Sequence, residues 1–306
     1  MGYPAKHGGI GAARTALAAL LALGLCACGA PENTDRVGRA GQSGPRIVSL
    51  NPCLDAILVE VADPSQILAL SHYSRDPVSS SIDREVADQF AITGGTAEEI
   101  VALQPDLVLA STFIAPSTKS ALERLGVTVE TFGSPTSLDE SLAQIGRLAK
   151  LAERTSEGKA LETRIMRDLP TFSAMPVPEE SQVSAMLWQP GQIVAGEASL
   201  VWEHLGRFGL ANHGAKMGLG QADHIALEAI VADPPDLLLV AGNSNGQTHP
   251  LLSELEQTRV ARFEPQLFYC GGPSIPKAWE RLEAIRLDFV LNPPGSVTHD
   301  GHRHAH

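Results

Sequence analysis

Residues 107–110 (LVLA) form a continuous apolar run with no alternation, the pattern of a parallel strand covered by helices on both faces. Residues 237–240 (LLLV) repeat it. Further strand patterns occupy 46–50, 66–70, 127–132 and 183–188, and helical spacings lie at 54–62, 98–103, 117–125, 199–209 and 274–289. Strands alternating with helices predict an α/β protein with parallel sheets. Between residues 136 and 169 apolar side chains recur at Leu138, Leu142, Ile145, Leu148 and Leu151, then at Ala160, Leu161, Ile165 and Leu169. That spacing predicts one long connecting helix over 136–170, capped by Thr136 or Ser137 and bent, if anywhere, near Gly158.

The two apolar runs sit in a longer repeat. Residues 97–109 (AEEIVALQPDLVL) and 227–239 (LEAIVADPPDLLL) align at an offset of 130 without a gap, with eight of thirteen positions identical. A short helix, a proline that ends it, an aspartate for the turn and a buried strand can be read in both copies. Two copies predict two Rossmann-like lobes, over 46–135 and 171–292, joined by the helix, with a cleft between them.

The ends of the chain carry different chemistry. Residues 15–25 (TALAALLALGL) are apolar, follow Lys6 and Arg14, and are too short to span a bilayer comfortably. The sequence Leu25-Cys26-Ala27-Cys28 then resembles a bacterial lipoprotein box. Residues 1–27 are expected to be a signal peptide, with Cys28 as the lipid-bearing residue of a protein held at the membrane by that anchor alone. Residues 28–45 are rich in Gly, Pro and polar side chains and read as a flexible tether. The tail, 293–306, ends in HDGHRHAH and is expected to be disordered.

Composition narrows the function classes. With 306 residues, about two domains are expected. A hydrophobic fraction of 43% excludes wholesale disorder. The formal charge of −12, which becomes −14 without the two basic groups of residues 1–27, argues against nucleic acid as a partner. Four cysteines are too few for a disulfide scaffold.

The motifs RIVSLNP (46–52), SHYSRDP (71–77) and the paired E-x-x-V-A-x-x-P-D-L segments, on two lobes behind a lipoprotein signal, resemble the class III periplasmic substrate-binding proteins of ABC importers. The SHYSRDP and EEIVALQPDLVLA segments are most similar to the cobalamin-binding branch. The sequence departs from that branch at Gly94-Gly95, where a tryptophan often stands. The resemblance implies a monomeric periplasmic receptor for a small metal chelate (cobalamin first, a ferric siderophore or haem as alternatives), with no catalysis and no cofactor of its own. It also implies that Glu98 and Glu228, at matching places in the repeat, dock onto a dimeric permease. The plainer reading of both is a carboxylate favoured by a helix N-terminus.

Ligands of open α/β sheets bind beyond the carboxyl ends of the strands. Asn51, Pro52 and Cys53, Tyr73, Trp188 and Asn243 fall at such ends, and Phe268, Tyr269 and Cys270 come just before the last helix, at the same rim. Flat aromatic rings suit a large planar ligand, and by resemblance Tyr73 matches a cobalamin-contacting tyrosine. Trp188 and Phe268 fit equally well as core residues. Cys53 and Cys270, one per lobe, either pair as a disulfide or ligate a soft metal. No dedicated metal site is expected.

Two other classes are open at this point. Gly242-Asn243-Ser244-Asn245-Gly246 matches the nucleophile elbow of a serine hydrolase, with His249 nearby as a base. Pro250 argues against the helix that an elbow requires. A metallochaperone lipoprotein would use Cys53, Cys270 and the histidine tail, whereas His204, His213 and His224 read as structural.

Overall fold

The structure, a computed structural model, describes residues 44–170, 182–242, 245–292 and 294. The expected signal peptide, Cys28, nearly all of the tether and the histidine tail lie outside the described residues. No helix among those described is long and apolar enough to cross a membrane.

The first lobe runs β1 (Ile47–Ser49), α1 (Pro52–Val61), β2 (Ile67–Ser71), α2 (Arg84–Ala87), β3 (Ile92–Thr93), α3 (Ala97–Ala102), β4 (Leu107–Ser111), α4 (Pro116–Arg124) and β5 (Thr128–Phe132). Its sheet is parallel throughout, in the order β3-β2-β1-β4-β5. Alternate strand residues feed two cores. Ile47, Leu107 and Leu109 pack on one face with Leu58 and Ile145, while Val48 and Val108 pack on the other with Ile100 and Leu122. Both faces of the central strands β1 and β4 are dry, so these carry no polar alternation, whereas the edge strand β5 (TVETF) does. The order reverses between β1 and β4, which places the topological switch point there.

The connecting segment differs from expectation. It is two helices, α5 (Leu138–Leu151) and α6 (Thr155–Asp168), rather than one. The break falls at Ala152–Arg154, with Glu153 at φ +58°, and not at Gly158. The side chain of the buried Gln66 stabilises the break, donating to the Ala152 carbonyl at 2.9 Å and accepting from Arg154 Nε at 2.8 Å. Gly158 serves packing instead. A Cβ there would collide with that of Ala149, so its absence lets α6 pack closely along α5. The contacts of residue 149 with 158 and of 146 with 162 show that the helices run antiparallel. The spine between the lobes is therefore a pair of antiparallel helices, each about 21 Å long, and α6 too spans both cores, with Leu161 and Ile165 in the first and Leu169 packed against the second. Leu138 joins the core of the second lobe, Ile145 and Leu148 join that of the first, and Leu142 packs against both.

The second lobe runs β6 (Val183–Gln189), β7 (Ile193–Val194), α7 (Leu200–Arg207), β8 (Leu210–Asn212), α8 (His213–Lys216), β9 (Asp223–His224), α9 (Leu227–Ala232), β10 (Leu237–Ala241), β11 (Arg259–Phe263) and α10 (Ile275–Leu291). The sheet order is β11-β10-β6-β7-β9, with β8 also on β6. β6, β8, β10 and β11 are parallel, but β7 is antiparallel to both β6 and β9, so this sheet is mixed rather than parallel as expected. Positive φ angles at Gly191 and Gln192 reverse the chain directly after β6 and fold β7 back onto it.

The repeat is structural as well as sequential. α3 and β4 occupy the same places in their lobe as α9 and β10, at the same offset of 130. The repeated aspartate plays the same part in each. Asp106 Oδ2 accepts from Arg46 N, at the start of β1, at 2.9 Å, and Asp236 Oδ2 accepts from Ser184 N, at the start of β6, at 2.8 Å.

Candidate functional site

A cavity of about 290 Å³ opens at the switch point of the first lobe. One wall is the start of α1. Asn51 caps this helix, its Oδ1 accepting from Cys53 N at 3.0 Å and from Leu54 N at 3.3 Å, and Pro52 fits the first turn because its missing donor costs nothing there. Asn51 lines the cavity as expected, but its carboxamide oxygen is engaged in capping.

Tyr73 stands on a single 3₁₀ turn (His72–Arg75) after β2 and is 45% exposed. Asp55, fully buried behind that turn, pins it. Its Oδ2 accepts from Ser71 N at 3.1 Å and from the hydroxyls of Ser71 and Ser74 at 2.5 Å each. Burial pushes the Asp55 carboxyl above the usual range, while the surrounding serine hydroxyls pull it back.

The loops after β4 and β5 complete the first-lobe side. They bring Phe113 and Ser134, β4 brings its last residue, Ser111, and α5 brings Ser141 and Gln144. Phe113 is 81% exposed, an apolar ring held at the rim. Gln144 Nε2 donates to the Gly133 carbonyl at 2.7 Å and fixes that loop.

From the second lobe come Tyr269 and Gly271. Burial, and then the Asp76 carboxylate, push the Tyr269 phenol above its ordinary pKa, so it stays a neutral hydrogen-bond donor. Cys53 and Cys270 are joined as a disulfide, 217 residues apart in sequence. The thiols are thus spent on each other, which removes them as soft-metal ligands. Among the described residues, no three His, Cys, Asp or Glu side chains form a group able to hold a metal ion. Among the described residues, none that lines the cavity carries a formal charge.

Three expected site residues do not line the cavity, and Cys270, bonded to Cys53 and 1% exposed, is one of them. Trp188 is 1% exposed and packs with Met186, Val194 and Val240, because its position in β6 points it into the core. Phe268 is buried against Phe263, with ring centroids 3.7 Å apart. Asn243 and Ser244 lie outside the described residues. β10 is followed by two 3₁₀ turns, Asn245–Thr248 and Pro250–Glu254, rather than by the α-helix of a nucleophile elbow. Phe113, Ser111, Ser134 and Gln144 were not legible in advance. The strand end before Ser111 was, and it was the available signal.

Glu98 and Glu228 are exposed in the first turns of α3 and α9. His204 is structural, as expected: buried, with Nδ1 accepting from Trp279 Nε1 at 2.9 Å. Burial, then the Arg207 charge, lower its pKa to about 3.

The family model described as "Periplasmic binding protein" matches residues 47–262. A protein of Halobacterium salinarum named "Cobalamin-binding protein" is 28% identical over 200 residues, which cover 63% of this chain and 53% of that one. The chain thus spans about half the length of the curated relatives it matches. Among solved structures, a periplasmic heme-binding protein of Vibrio cholerae has a TM-score of 0.64 at 16% identity, covering 80% of this chain and 99% of its own. The periplasmic vitamin B12-binding protein of the same organism has a TM-score of 0.59 at 17% identity, covering 81% and 99%. At these identities the two structures are similar in fold alone.

Proposed function

The chain belongs to the periplasmic binding protein family, and from that premise we propose that it is a monomeric receptor, anchored to the membrane through a lipid on Cys28, that delivers cobalamin to an ABC importer. It binds its cargo and performs no chemistry on it. Charge at the cavity carries the choice of ligand. Haem and catecholate siderophores bring carboxylates or other anionic groups that call for a basic partner. The lining offers hydroxyls, the carboxamides of Asn51 and Gln144 and aromatic rings instead, which suit a chelate whose periphery is amide and whose body is flat. A cavity of this size takes one edge of such a ligand, with the exposed rings of Tyr73, Phe113 and Tyr269 flanking the rest. The cobalamin-binding relative supports the same choice.

A neutral ferric hydroxamate is the second reading, favoured by the same uncharged lining. Ultrafiltration of the protein with cyanocobalamin, haemin and a neutral ferric hydroxamate, read by the absorbance of each chelate, separates the readings. Retention of cyanocobalamin at about equimolar stoichiometry is expected. Retention of haemin alone would overturn the argument from charge.

A further inference from the structure

The Cys53–Cys270 disulfide crosses from one lobe to the other at the edge of the cavity. Cys53 lies in the first turn of α1, whereas Cys270 follows Phe268, which is embedded in the second-lobe core, and precedes α10, which closes that core. Tyr269 stands between Phe268 and Cys270, still 41% exposed and facing the cavity. Two further contacts seat the same short segment on the first-lobe side. Gly272 N donates to Ser141 Oγ at 2.6 Å, and Gly271 lies so close to Ser141 that a Cβ would collide with it.

We propose that this disulfide is a positioning device for ligand capture: it fastens the second-lobe segment 269–272 to the start of α1, and so fixes the Tyr269 ring over a cavity built almost wholly by the first lobe. Without the link the segment would keep that hydrogen bond, the bonds of the Ser274 hydroxyl to the Cys270 and Gly271 carbonyls and the packing of Gly272 on Ile57, but Tyr269, which precedes them, would gain freedom of position. The covalent link removes that freedom before the ligand arrives, which is the general route by which preorganisation raises affinity. It also sets the gape of the cleft at this edge. The inference rests on the cavity being the ligand site, and its test has an arm that needs no ligand.

The full chain is compared oxidised, after reduction by dithiothreitol, and as a Cys53→Ser/Cys270→Ser variant. Dithiothreitol supplies two electrons and two protons, giving two thiols and its own cyclic disulfide. In ligand-free protein, amide hydrogen exchange at Gly272 is expected to rise at least about ten-fold when the link is broken, with the cores of both lobes still protected. Cyanocobalamin affinity is expected to fall about ten-fold, through faster dissociation, on a scale like that of one lost aromatic contact. In a Tyr269→Ala background, breaking the link is expected to cost little more, because the residue it positions is gone. Unchanged exchange at Gly272 would overturn the proposal whatever the ligand is. Equal losses on reduction in the wild type and in Tyr269→Ala would also overturn it, since the link would then act through something else. If cyanocobalamin does not bind the oxidised protein, the ligand assignment fails and the exchange arm alone decides the tether.

Discussion

Asp55 and His204 show how single buried side chains shape this molecule without touching the cavity. Asp55 holds the turn that carries Tyr73, and His204 ties α7 to α10 through Trp279. The pKa of His204 is about 3 in the fold, against about 6.5 for an ordinary histidine. The unfolded chain therefore binds the extra proton between those values, so this group's contribution is fully present above pH 6.5 and is lost as the pH falls toward 3. Within that window each pH unit lowers the folding equilibrium constant by up to about ten-fold. Urea unfolding at pH 7, 5 and 4 is expected to show this slope in the wild type and a shallower one in His204→Gln, which keeps an acceptor for Trp279. Comparing the two proteins cancels the opposing trend from Asp55, whose raised pKa makes its burial costly as the pH rises. The cavity residues divide along similar lines. Tyr73 was legible because it comes just after β2, and Tyr269 because it comes just before the last helix. Trp188 was misplaced because one position along a strand exchanges the rim for the core, and periodicity alone does not mark where a buried strand ends.

At the level of elements, the repeat was the most informative feature of the chain. It marks α3–β4 and α9–β10 as equivalent units, and it puts Glu98 and Glu228 on matching exposed turns. Two carboxylates on rigid helix starts can orient a receptor over a two-fold permease, acting on encounter and register more than on affinity. A Glu98→Ala/Glu228→Ala protein is expected to bind ligand as the wild type does and to lose uptake in a transport assay. Uptake at the wild-type rate would remove the docking role. The break between α5 and α6 was hidden because no Gly or Pro stands at Ala152–Arg154; the nine-residue step from Leu151 to Ala160, half a turn out of phase with one continuous helix, was its signal. What breaks the helix is tertiary, the reach of Gln66 from a distant strand start. Gly158 drew attention for its propensity and matters for its size. Gly158→Leu is expected to force the hairpin apart and lower stability by about 2 kcal/mol in denaturant melts. An unchanged midpoint would mean that the α5–α6 contact is loose.

As a whole molecule, the protein joins a parallel first lobe to a mixed second lobe through the α5–α6 helix pair and one disulfide. The fold class and the two lobes could be read from strand and helix alternation and from the repeat. The reversal of β7 could not, because it depends on positive φ angles at Gly191 and Gln192 that no hydrophobic pattern encodes. The uncharged lining of the cavity was likewise hidden, since it assembles from segments as distant as Asn51 and Tyr269. That lining carries the central claim, that the cavity receives cobalamin. Calorimetric titration of cyanocobalamin into the oxidised protein tests it most directly. A single saturable site with a Kd of about 1 μM or tighter, weakened by Tyr73→Ala, is the predicted result. Absence of saturable binding, or binding that Tyr73→Ala and Tyr269→Ala both leave untouched, would contradict it.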